Sequence, residues 1–240
     1  GTDERSSIYV SAYMGHDLSS KLRSLSGRMP TVNQTIGTYR TQSQANGSNY
    51  EQMAYYQLLM LQILFIVMFK DRDSQSALGR GCVNLNSSIV LTGGTNTKGM
   101  FYGEDTGSLQ MKFCGIEDFW GNTTYRIDGL WSDADRNILI GTQNFNDTGA
   151  GYDNYGGGAP ANIVGYVTRV QGDTKKGFII KEGAGSPTTF YTDYSFLNKS
   201  GHPVFGGHRT DGVQAGTFSL KIGSDASHVA VSASGRLLFF

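Results

Sequence analysis

Proline and cysteine are both scarce. The 240 residues hold four of the first and two of the second, and 20 Lys+Arg are cancelled by 20 Asp+Glu. Two cysteines, Cys82 and Cys114, cannot build a disulfide framework, and without CxxC spacing a zinc ribbon or thioredoxin-type motif is excluded; one bridge or two buried thiols stay open. With no excess of positive charge there is no electrostatic footprint for phosphates, so no nucleic-acid partner is expected. The longest apolar run, Met53 to Phe69, is broken by Gln57 and Gln62. It falls short of the ~20 residues a bilayer needs, so no membrane span is expected. A phosphate-binding GxxxxGK[ST], a HExxH zinc site and a GxSxG elbow are all missing. The four histidines (His16, His202, His208, His228) have no metal-ligand spacing. No signal peptide is visible, and Gly1 to Arg5 read as an engineered start or a cut from a longer parent.

What is abundant is glycine, with 33 residues, beside 13 Tyr and 13 Phe. Glycine permits left-handed backbone and close approach, while aromatics bury large areas with few rotatable bonds. The mixture predicts a loop-rich body pinned by aromatic anchors. Along the chain, Ile8 to Tyr13 reads as a first strand. Asp17 reads as the N-cap of a short helix with Leu18, Leu22 and Leu25 on one face and Gly27 as its stop. Arg28 to Gly47 reads as polar connection. Ser48-Asn49-Tyr50-Glu51 has capping-box spacing and opens a helix over Met53–Phe69, buried on most faces. After Gly79, short β-favouring pieces alternate with turn residues: 88–91, 108–113, 124–128, 138–140, 163–170, 178–181, 217–222, 228–231 and 236–240. The expected class is α+β: two N-terminal helices packed on a twisted antiparallel sheet with long Gly-rich loops, in one domain over 1–240.

Three motifs lie in a telling order. Gly115-Ile116-Glu117-Asp118-Phe119-Trp120-Gly121-Asn122, followed by Ile127-Asp128-Gly129, resembles the G-I-E-N-x-W-G-N…D-G segment of phage tail-associated and variable proteins with the C-type lectin fold. That fold variant is shared with the formylglycine-generating enzymes. Ser74-Gln75-Ser76-Ala77-Leu78-Gly79 is similar to the stretch that follows the long helix in those proteins. Phe205-Gly206-Gly207…Ala215-Gly216-Thr217-Phe218…Gly235-Arg236-Leu237 resembles the C-terminal frame of variable proteins diversified by retroelements, although His208 and Arg209 replace the usual Trp after the glycine pair.

The resemblance implies a rigid scaffold presenting a variable ligand-binding face near its C-terminus. Carried onto this chain, the contact positions are His208, Arg209, Thr210, Asp211, Val213, Gln214, Thr217, Ser219, Lys221, Ser224, Asp225, His228 and Ala230. Alternation supports the same view: as a strand, 217–222 would point Thr217, Ser219 and Lys221 outward and Phe218, Leu220 and Ile222 inward. The plain alternative is a solvated amphipathic edge strand. The resemblance further implies a host-surface protein or glycan as partner, on a virion tail or a cell surface, with homo-oligomeric display. No enzyme activity is expected, because the formylglycine-generating cysteine pair lies near the end of that domain and no Cys follows Cys114. No cofactor is expected. The lectin calcium motifs are missing, and Asp133-Ala134-Asp135, which could offer oxygens to a structural calcium, reads more simply as an acidic turn. A purely structural virion component and a degenerate formylglycine-type enzyme are the competing readings.

Overall fold

The computed structural model describes residues 7–86 and 88–240, and within them the chain is a mixed α+β structure, mostly sheet. The central element is a six-stranded sheet. Its spatial order is Ile163–Tyr166, Tyr194–Leu197, Leu220–Ser224, His202–Phe205, Thr124–Arg126, Ala233–Ser234. Two of its pairings are parallel, Tyr194–Leu197 with Leu220–Ser224 and Thr124–Arg126 with Ala233–Ser234. This corrects the purely antiparallel expectation: each parallel partner arrives from a distant part of the chain, which residue patterning within one strand does not encode.

Helix α2 (Tyr55–Phe69) lies against the core. Leu58, Leu61 and Phe65 pack with Trp120, Phe113, Phe205, Phe218 and Ile222 in one buried cluster. Its start is not the capping box. Ser48 lies in a turn, Glu51 in a short strand, Tyr50–Gln52, which pairs with Leu237–Phe239. Ala54 is the N-cap instead, and Asp128 O accepts from Tyr55 N at 2.9 Å. Tertiary pairing of the C-terminal strand has overridden the local capping signal. Nor is α2 buried on most faces, because Met60, Ile63, Leu64, Val67 and Met68 are exposed.

The helix expected from Asp17 is a β-hairpin. Gly15–Leu18 pairs with Lys21–Ser24 through Ser19 and Ser20, both at positive φ (55° and 60°), the two-residue turn whose twist suits a hairpin. Asp17 Oδ1 accepts from Ser20 N at 2.9 Å, closing the turn rather than capping a helix. Conversely, a helix α1 (Ile36–Gln44) stands within the expected polar connection. Thr35 Oγ1 accepts from Thr38 N as its N-cap. Its inward face is Ile36, Tyr39, Gln42 and Ser43. Half of that face is polar, so no apolar period announces it. Helix α3 (Ser74–Leu78) follows α2, capped by Asp73. The termini meet in a three-stranded sheet where Leu237–Phe239 lies between Tyr9–Val10 and Tyr50–Gln52. The expected strands at 88–91 and 228–231 are irregular. Both cysteines are free, Cys82 fully buried.

The Gly115–Asn122 motif is structural. Glu117, almost fully buried, accepts from Gly93 N and Gln110 Nε2 through one oxygen and from Thr95 N and Oγ1 through the other. Asp118 Oδ2 accepts from Gln110 and Asn122. Trp120 Nε1 donates to Arg80 O. Gly121 has φ 78°, and a Cβ there would sit 2.9 Å from Cys82 O, so the motif requires glycine. Together these residues clamp the irregular 80–110 segment to the sheet. Asp128 of the Ile127-Asp128-Gly129 turn receives Arg40 through both carboxylate oxygens, at 2.6 and 3.0 Å, fastening α1.

Candidate ligand-binding face

The two faces of the central sheet differ in kind. Cross-strand partners share a face. Leu197, Ile222, Pro203 and their neighbours Leu220 and Phe205 turn inward and are buried. Lys221 pairs with Phe196 and Val204, and Phe196 with Val164, placing these four on the outer face. Tyr194 and its partner Tyr166 continue it, their rings edge to face at 5.5 Å. All are half-buried except Val164, which is exposed. The opposite end of this face is closed. Arg126 there is fully buried, donating to His202 Nε2 at 2.7 Å and to His228 O at 2.7 Å.

The 207–214 loop borders the open part. Asp211 organises it: its carboxylate accepts from His208 N at 3.0 Å and from Lys221 Nζ at 3.1 Å, with His208 Nε2 at 3.3 Å. Burial is the first cause holding the His208 imidazole below its ordinary value; Asp211 opposes it, and Lys221 and Arg209 reinforce it. At neutral pH the ring is therefore uncharged and Asp211 serves Lys221 as its charged partner. Arg209 is half-buried, Thr210 and Val213 exposed, Gln214 half-buried on the short 3-10 turn Gly212–Gln214. Beside Val213 opens a cleft of about 410 Å³, lined also by Asp73, Ser76, Arg80, Asp105, Pro187 and Thr192.

Thr217 and Ser219 are corrections. Both are buried, at 0% and 1% exposure. The strand begins only at Leu220, so alternation does not extend back to them. Thr217 O accepts from Gln62 of α2 and Thr217 N donates to Ser74 Oγ, while Ser219 Oγ donates to Tyr194 O. They anchor the segment and cannot touch a partner. Ser224 closes the Leu220–Ser224 strand, about 10 Å along it from Lys221 at 3.3 Å per residue, and Asp225, His228 and Ala230 follow in the irregular chain beyond it. Asp225 is spent on its own turn through Ser227, and Ala230 O accepts from Asn33 N. The expected contact set thus splits in two, and only 208–214 with Lys221 adjoins the open sheet face. Sequence reasoning missed Val164, Tyr166, Tyr194 and Phe196; in Tyr194-Ser195-Phe196-Leu197 no polar alternation marks them, because polar Ser195 is buried beside Leu197 while the two rings face outward.

Among the described residues, no three His, Cys, Asp or Glu side chains gather as a metal set would. Asp133 Oδ1 accepts from Asp135 N and Asn137 N, both at 2.8 Å, as an acidic turn does.

Beneath the loop, Asp193 is fully buried. It accepts from Phe218 N at 2.7 Å and receives the longer Ser74 and Thr192 hydroxyl contacts. Gly216, at φ 151°, leaves room for it, since a Cβ there would lie 2.3 Å from either carboxylate oxygen. Burial pushes the Asp193 carboxyl up to about 8 and that of Asp118 to about 7. Folded Asp193 therefore holds a proton that the unfolded chain has released above pH ~4, and the stability this confers is lost as pH rises through about 8. His202, held near 3 by burial and Arg126, opposes this trend only below its unfolded value near 6.5. Urea unfolding should show stability falling by on the order of 2 kcal/mol between pH 6.5 and 8.5. Asp193→Asn should remove more than half of that slope, and an unchanged slope would rule out this assignment.

No protein-family model matches the chain, and no curated protein matches it.

Proposed function

We propose that this protein binds a macromolecular target, a host-surface protein or glycan, without chemical change, as a C-type-lectin-fold receptor-binding or retroelement-diversified protein of a phage tail or a cell surface. The observation that supports the reading is the outer sheet face. Aromatic rings, an aliphatic rim and one anchored lysine stand partly exposed on strands whose reverse side is a tightly packed core. Rigid aromatic anchors give large contact area at small entropy cost, and Tyr and Arg dominate binding energy at protein interfaces. The Asp211–Lys221 pair places a cation beside them, and the cleft next to Val213 offers a concave slot for a projecting group.

Nucleophilic chemistry has little support. Burial pushes the Cys82 thiol well above its ordinary range, so it stays protonated. The rival reading as a virion structural component requires the same face to be covered by a neighbouring subunit. The expected outcome of a binding assay separates these. Host-cell binding by the intact chain should drop at least tenfold in Tyr194→Ala, roughly 2 kcal/mol or less of a single anchor. It should drop further in the combined Arg209→Ala, Asp211→Ala, Lys221→Ala variant. Equal binding by all three proteins in whole-cell flow cytometry would remove this face from consideration. A near-copy of the segment coding for 206–237 beside a reverse-transcriptase gene would establish diversification.

A further inference from the structure

Arg126 and His202 are two bases buried against each other, at 0% and 1% exposure. Among the described residues no carboxylate forms an ion pair with Arg126. Its Nη1 donates to His202 Nε2 and its Nη2 to His228 O, each at 2.7 Å. A guanidinium has donors only, so Nε2 accepts, the ring proton sits on Nδ1 and the imidazole is neutral. A proton added at Nε2 would set N–H against N–H and hold two cations together where water does not reach.

The groups around the ring do not relieve this. Arg126 on Thr124–Arg126, Arg40 on α1 and His228 beyond Leu220–Ser224 all disfavour a charged His202. Arg40 is paired with Asp128 and Asp147. Tyr39, which faces Arg126, donates its hydroxyl to Thr31 O and Ala233 O. The carboxylate that favours the charge is Asp225, whose Oδ1 already accepts from Ser227 N and Oγ. The pair also sits where the structure gives way most easily. His202 opens its strand at a register irregularity before Pro203. Residues 225–229 are irregular, and Arg126 to His228 O is the hydrogen bond that ties them to another part of the described chain.

We propose that the Arg126–His202 contact is an acid-released latch: protonation of His202 expels its ring and frees residues 225–229 while the rest of the sheet stays in place. Asp225 and His228 of the expected contact set ride on that segment. In the open state the ring takes a proton near 6.5, whereas burial, and then Arg126, holds it to about 3 in the closed one. Closure is therefore complete above about 6.5 and weakens roughly tenfold per pH unit below it, about 30-fold from pH 7.5 to 5.0. Buried Asp118 and Asp193 keep their protons in the folded body over the same range, so the release is local.

Hydrogen exchange of the full-length chain, corrected for intrinsic rates, tests this at pH 7.5 and 5.0. Peptides covering 199–205 and 222–232 should lose about 30-fold of their protection at pH 5.0, while one covering Ile138–Ile140 keeps its own. His202→Gln retains an acceptor for Arg126 and does not titrate, so the loss should vanish. His228→Ala should keep the loss, because Arg126 holds the backbone carbonyl at 228 and not the ring. Equal protection at both pH values overturns the proposal, as does a loss that persists in His202→Gln or disappears in His228→Ala. A loss confined to 36–44 also overturns it and assigns the acid response to Arg40 and Asp128. Should His202→Gln fail to fold, the imidazole resonances of the wild-type chain decide: a His202 ring titrating near 6.5 with 222–232 still protected sinks the latch.

Discussion

Arg236→Ala should cost about 3–5 kcal/mol in unfolding free energy, enough to remove much of the 5–15 kcal/mol a domain typically has. Arg236 is fully buried. Nη1 donates to Ser11 O at 2.8 Å and Nη2 to Glu117 O at 2.7 Å, so one guanidinium joins the N-terminal segment, the Gly115–Asn122 motif and the final strand. The same group lies over the Tyr125 ring, 5.0 Å from its centre. Alanine would leave those carbonyls without donors in a site closed to water, and would remove the cation facing Glu117 and Asp118. Lysine should recover only part of the loss, because one ammonium cannot span the fork of acceptors. Urea denaturation monitored by tryptophan fluorescence checks this, and a loss below about 1 kcal/mol would contradict the role given to Arg236.

Phe65→Ala should destabilise the protein by a similar amount, about 3–5 kcal/mol, the range for emptying a phenylalanine from a packed core. Its ring meets Phe69 at 4.6 Å, Phe113 at 5.4 Å, Trp120 at 5.8 Å and Phe218 at 6.4 Å. Phe218 in turn meets Phe178 and Tyr191 at 5.0 and 5.2 Å. The cavity would therefore open where α2 supports the entry to the Leu220–Ser224 strand. Near-ultraviolet circular dichroism should weaken before the far-ultraviolet signal does, because aromatic packing is lost first. Phe65→Leu should cost under about 1.5 kcal/mol. Wild-type stability in Phe65→Ala would mean that the ring cluster is not what holds the platform.

The legible parts of the sequence were those whose signal is local. The apolar run ending at Phe69 and the strand Ile138–Ile140 stand where pattern placed them. Trp120 is core, as its place in the motif suggested. Illegible were the elements whose faces carry mixed residues. Helix α1 turns Gln42 and Ser43 inward, and Asp17 Oδ2 accepts from Gln42 Nε2 at 2.7 Å. The leucines at 18, 22 and 25 match a helical period by spacing alone, while Ser19 and Ser20 take the hairpin turn. Among the candidate contacts, 208–214 and Lys221 keep a place on the proposed face. Thr217 and Ser219 do not, since a difference of three residues in where a strand begins decides whether a hydroxyl meets water or lies buried.

What the sequence by itself determined is the mixed α+β class, the main core helix and the anchoring motif, because glycine spacing, apolar runs and aromatic content act over a few residues. Tertiary structure alone decided the order of the six-stranded sheet, the burial of Arg126 and Arg236, and the union of Tyr166, Tyr194 and Lys221 on one face. The physical reason is that each depends on pairings between segments tens to hundreds of residues apart, where a side chain's exposure is set by what another part of the chain lays across it.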